Sequence, residues 1–97
     1  MNVNTEKKLT VGDILKKTRQ EQGFTIAEVV RATKIRYSHV EAIENNNYNK
    51  LPERTYTLGY ITSYSKFLGL HSKEILQQAE VEYTLKDPIY DNMVQNN

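Results

Sequence analysis

The chain has 97 residues, enough for one domain, and no cysteine, which excludes disulfides and thiolate metal sites. Its formal charge of +1, from 13 Lys and Arg against 12 Asp and Glu, argues against a dedicated phosphate-gripping surface. Its two histidines, His39 and His71, stand too far apart in sequence to suggest a zinc site, no apolar run reaches the roughly 18 residues of a membrane span, and the start "MNVNTEKKLT" lacks the apolar stretch of a secretory signal. A soluble, cytoplasmic segment without cofactor or metal is therefore expected.

Residues 1–9 are polar and read as a flexible N-terminus. Thr10 with Asp13 forms a capping-box pattern, and Val11, Ile14, Leu15 and Thr18 follow at helical spacing until Gly23. Thr25 with Glu28 opens a second, short helix, whose buried face is Ile26, Val29 and Val30 and whose end is near Thr33. A tight connection, "TKI", leads to a third helix from about Arg36 to Asn45, with Ile35, Val40 and Ile43 pointing inward. The turn-rich "NNNYNK" stops it. Pro52 suits the first position of a fourth helix that ends at Leu68, capped by Gly69. Ser72 is the expected N-cap of a fifth, with Ile75, Leu76, Ala79 and Tyr83 at helical spacing. Residues 84–97 lose the pattern and read as a flexible tail. The expected fold is all-α, five helices within residues 10–83, with two short helices and a tight turn forming a helix-turn-helix.

The fourth helix, "TLGYITSYSKFLGL", carries more apolar surface than one stripe requires. On a wheel of about 100° per residue, Leu58, Ile61, Ser65 and Leu68 form a compact core face. Tyr64 lies at its edge, and Tyr60, Phe67 and Tyr56 extend the apolar arc to about 200°, twice the usual width. Two readings compete for the excess. Either the fifth helix folds back over Tyr60, Tyr64 and Phe67, or part of this face stays exposed as a docking patch, a use that suits tyrosine. Gly59 costs about 1 kcal/mol relative to alanine, so another helix or a partner is expected to approach there.

The run "ATKIR…Y…EAIE", the "LP" after the third helix, and "GYITSY…FLGL" occur together and in order. Over about residues 12–83 the chain resembles the cytoplasmic N-terminal domain of the RodZ family. The resemblance implies a phage-repressor-like five-helix fold that binds the actin-like filament protein MreB and serves bacterial cell shape. It implies that an aromatic pair four residues apart on the fourth helix, matched here to Tyr60 and Tyr64, meets the filament. Tyr56 would extend the patch, and Arg54 and Lys66 would form a basic rim toward an acidic partner. Family members continue into a basic linker, a transmembrane helix and a periplasmic domain. None of these is in the present chain, which is expected to be the isolated head domain, a truncated piece or a shortened relative. By analogy of fold, Glu44 is expected to pair with Arg19.

The alternative is a DNA-binding regulator that reads bases with Arg36, Tyr37, Ser38 and His39 of the third helix. Across residues 24–45, Arg31, Lys34 and Arg36 balance Glu28, Glu41 and Glu44, three against three, so any DNA affinity is expected to be weak. His39 is read most simply as a solvent-facing helix residue. A homodimer through the fourth helix is a lesser possibility. No Gly-rich phosphate loop or Ser/His/carboxylate pattern points to an enzyme.

Overall fold

The computed structural model describes residues 8–86, and among them every regular element is a helix. In chain order these are α1 (Val11–Glu21), α2 (Ile26–Thr33), α3 (Tyr37–Glu44), a single 3-10 turn (Tyr48–Lys50), α4 (Arg54–Leu68) and α5 (Ser72–Lys86). The expectations for residues 1–7 and 87–97 lie outside the described residues.

Local chemistry sets the helix ends. Thr10 Oγ1 accepts from the Asp13 N–H at 3.1 Å, and Asp13 Oδ2 accepts from the Thr10 N–H at 3.1 Å. Thr25 and Glu28 repeat the box at the start of α2, at 3.1 and 2.8 Å. Each box satisfies donors that a helix N-terminus otherwise leaves unpaired. The Glu28 carboxyl is held below its ordinary pKa, chiefly because the Thr25 backbone N–H donates to it.

α1 and α4 end alike. Gly23 and Gly69 adopt φ of +81° and +78°. Gly23 N–H donates to Gln20 O and Phe24 N–H to Arg19 O, while Gly69 N–H donates to Lys66 O and Leu70 N–H to Ser65 O. Both are the paired 5→2 and 6→1 bonds of a Schellman motif, and in both the following apolar residue, Phe24 or Leu70, packs on the core. α2 ends differently: Lys34 takes the left-handed conformation at φ +66° without being glycine.

Three boundaries differ from expectation. Pro52 precedes α4 rather than opening it, because the 3-10 turn and an extended Leu51 come first and Glu53 is the cap residue. Ser72 is the first residue of α5, not its cap; the Ile75 N–H already bonds to His71 O. α5 also runs past Tyr83 to Lys86, so residues 84–86 are helix and not tail.

α4 is the central element and packs on α1, α2 and α5. The core joins Val11 and Leu15 of α1, Val29 of α2, Ile35 of the turn, Val40 and Ile43 of α3, Ile61, Tyr64 and Leu68 of α4, and Ile75 and Ala79 of α5. Each large aliphatic side chain removed from water here contributes on the order of 1.5–3 kcal/mol. α1 crosses α3 so closely that a Cβ on Gly12 would lie 2.2 Å from Ile43 O, which is why that position has none.

Candidate functional site

The buried stripe of α4 is Thr57, Ile61, Tyr64, Ser65 and Leu68. On the wheel this is an arc of about 100°, the ordinary width, turned about 30° toward Tyr64 from the face centred between Leu58 and Leu68. The expectation that Tyr64 presents its ring to a partner is thereby corrected: Tyr64 is 0% exposed. Its hydroxyl donates to Glu44 Oε2. Glu44 in turn accepts from Arg19 Nε at 2.7 Å and Nη2 at 2.9 Å, and Arg19 Nη1 reaches Phe24 O at 2.8 Å. Arg19 and Glu44 thus form the ion pair expected from the fold, and Tyr64 completes it as a third member. Burial, and then the bond to Glu44, push the Tyr64 phenol far above its ordinary pKa. The bond to Glu44 likewise raises the Arg19 guanidinium.

The remaining aromatics of α4 are covered unequally, and each stacks on a ring from another part of the chain or reaches solvent. Phe67 packs on Phe24 of the α1–α2 connection, with ring centroids 4.8 Å apart. Tyr60 is half-buried and stacks on His39 of α3, with centroids 5.5 Å apart and planes at 23°. Tyr56, one turn before Tyr60 on the same side of the helix, is 60% exposed. The i, i+4 aromatic pair that reaches solvent is therefore Tyr56 and Tyr60, not Tyr60 and Tyr64.

Gly59 lies beside this pair, exposed, and a Cβ built there meets nothing within 4 Å. No helix of the described residues approaches it, so its helix-propensity cost has no packing cause within them. Arg54 and Lys66 are both exposed, at opposite ends of α4. Arg54 sits in the first turn, where the helix dipole disfavours a cation, so the helix itself gains nothing from it. Lys66 borders an open groove of about 400 Å³ between α2 and α4, also lined by Ala32, Thr33, Ser63 and Phe67. From residue 54 to residue 73 the chain carries Arg54, Lys66 and Lys73 and no carboxylate. The outer side of α4 carries Tyr56, Tyr60 and Lys66 and no acid, while on the wheel Arg54 falls on the side of the buried stripe, exposed only because it starts the helix.

Of the four candidate base readers on α3, Arg36, Tyr37 and Ser38 are exposed. His39 is not a solvent-facing residue as expected. It is half-buried under Tyr60, and its Nδ1 is buried without a hydrogen-bond partner. Helical periodicity within α3 gives no sign of this contact, because the ring it meets belongs to α4. Among the described residues no three His, Asp or Glu side chains gather as a metal ion would need, and no helix is long and apolar enough to cross a membrane.

A second polar cluster ties the end of the domain to its beginning. Glu82 of α5 accepts from the Val11 N–H at 3.0 Å and from the Tyr48 hydroxyl at 2.9 Å. Gln78 Nε2 donates to Glu82 Oε2 and to Leu9 O, each at 2.8 Å. Glu82 therefore caps α1 from a different helix, a role its sequence position does not signal.

A family described as a helix-turn-helix domain matches residues 14–75, from α1 into the first turn of α5. An uncharacterized protein of Haemophilus influenzae is 35% identical over 71 residues, which is 72% of this chain and 23% of that protein. Cytoskeleton protein RodZ of Streptococcus pneumoniae is 29% identical over 70 residues, 72% of this chain and 25% of that protein. The chain thus spans about a quarter of the length of these curated relatives. No solved structure matches significantly. With five α-helices among the described residues, a three-residue turn between α2 and α3, and a family match across residues 14–75, the chain belongs to this helix-turn-helix family as a RodZ-like domain.

Proposed function

We propose that this domain is a non-enzymatic docking module that binds the actin-like filament protein MreB through the outer side of α4, and so contributes to bacterial cell-shape control from the cytoplasm. The observation that carries the reading is the pair of exposed Tyr56 and half-buried Tyr60 beside Gly59 on the helix that organises the core. Tyrosines offer rigid contact area with a polar tip, and such residues dominate interface energetics. Lys66, on the outer side toward the far end of α4, and Arg54 at its start would add positive charge toward an acidic partner surface. Tyr64 acts from below, holding α4 in place through Glu44.

The test is co-sedimentation of the domain with polymerised MreB. Tyr56→Ala and Tyr60→Ala are each expected to weaken binding by about 1–3 kcal/mol, roughly ten- to hundredfold, with the helical circular dichroism unchanged. Undiminished pelleting of a folded double variant removes the proposed face. If the wild type itself stays in solution, the exposed Arg36, Tyr37 and Ser38 at the open end of α3 make DNA the next ligand to titrate, with a steep loss of affinity on adding salt as its signature.

A further inference from the structure

We infer that His39 is a positioning residue of the docking face, holding the Tyr60 ring in the orientation that meets the partner. This rests on the proposed role of α4. Three observations carry it. The imidazole lies against the Tyr60 ring at 5.5 Å and 23°, an offset stack with one ring face covered. Tyr60 is half-buried while Tyr56, its neighbour on the same side, is 60% exposed, so the stack restrains one of the two rings and leaves the other free. His39 Nδ1 is buried with no hydrogen-bond partner. Hydrocarbon would fill that space without burying a bare polar atom, so simple packing is a poor reason for histidine here.

The physical effect is preorganisation. A helical tyrosine has two common χ1 rotamers, and an unrestrained ring must settle into one of them when a partner binds. Covering one face of Tyr60 in the free domain removes that cost in advance. His39 is also one of the candidate base readers of α3. Held under Tyr60, it serves α4 instead.

The experiment compares His39→Ala, His39→Leu and His39→Phe, each alone and combined with Tyr60→Ala, in co-sedimentation with polymerised MreB. His39→Leu fills the site without an aromatic ring and guards against a fold defect in His39→Ala. The expected result is a loss of about three- to tenfold in affinity for His39→Ala and His39→Leu, the scale of one immobilised side chain, and near-wild-type binding for His39→Phe. On the Tyr60→Ala background the same changes should have no further effect. In the free domain, the Tyr60 ring protons should lose their ring-current shift in His39→Leu and keep one in His39→Phe, with thermal stability similar in both. Wild-type affinity in a folded His39→Leu domain overturns the inference while leaving the docking face intact. So does an equal loss on both backgrounds, which would make His39 a direct contact. If Tyr60→Ala alone leaves binding unchanged, there is no Tyr60 contact to position and the inference fails, while the docking face itself falls only if the Tyr56→Ala, Tyr60→Ala double variant also binds as the wild type does.

Discussion

Replacing Glu44 by glutamine tests the centre of the fold. The substitution keeps the shape of the side chain and removes its charge. Arg19, with a side chain only 10% exposed, would then hold a buried cation opposite a neutral amide. Two charge-assisted bonds, at 2.7 and 2.9 Å, become one ordinary bond and one clash of donors, and the buried Tyr64 hydroxyl loses its carboxylate acceptor. Breaking one side of a buried pair costs about 3–5 kcal/mol. A folded unit of this size has roughly 4–12 kcal/mol in total, so Glu44→Gln is expected to remove about a quarter or more of the stability. Urea titration followed by helical circular dichroism at pH 7 reads the loss directly. Adding Arg19→Met and Tyr64→Phe to an apolar Glu44→Leu change should recover most of it, because no buried group is then left without its partner. A loss under about 1 kcal/mol for Glu44→Gln, or additive costs for Arg19→Met and Glu44→Gln, would refute the view that these three side chains act as one unit.

Tyr64→Phe should cost about 1 kcal/mol at neutral pH. The native phenol is raised above its ordinary value of about 10, so its contribution is complete below that pH and is lost as pH rises beyond it. Relative to the variant, the wild type should weaken by about 1.4 kcal/mol per pH unit above 10, closing the gap near pH 11; parallel alkaline urea curves would contradict this. Gly12→Ala should lose about 3 kcal/mol, since the new methyl meets the Ile43 carbonyl 2.2 Å away, while Gly59→Ala, with open space around it, should gain up to about 1 kcal/mol in melting experiments. If Gly59→Ala stabilises the free domain yet weakens filament binding, the partner approaches α4 there. Lys34→Gly should gain about 0.5–1 kcal/mol by relieving the left-handed backbone at φ +66°, and a destabilised variant would show that the Lys34 side chain makes an offsetting contact.

The starts of α1 and α2 and the ends of α1 and α4 were legible because their causes are local. Thr10 with Asp13, Thr25 with Glu28, and the glycines at 23 and 69 act within a few residues of themselves, and the structure uses each as its chemistry suggests. The Arg19–Glu44 pair was reachable only through likeness of fold, since 25 positions separate the partners. Tyr64 was misplaced for a related reason. A wheel gives its angle, but burying a phenol depends on an acceptor, and that acceptor stands on α3. His39 escaped altogether: its contact is with α4, and no periodicity within α3 reports it. Lys34 shows the converse case, a residue without glycine's freedom placed where the turn into α3 demands a positive φ. What was readable in the proposed docking face was its helix and its excess of aromatics; which rings face outward depended on how far α4 is rotated in its socket.

The Glu82 clasp gives the domain the topology of a nearly closed ring. It joins positions 71 residues apart, and Gln78 reinforces it by holding Leu9. The start of α1 and the last turns of α5 therefore share one corner of the molecule. Segments attached before α1 and after α5 would leave from that single corner, and a linker of a few residues could seal it. Once sealed, the chain could be reopened at an exposed connection elsewhere, because the bonds that specify α1 to α5 do not depend on which peptide link is left open. In such a circular permutant the contact of greatest sequence separation, Glu82 with Val11, would become one of the shortest, and the entropy of closing that long loop would no longer oppose its formation.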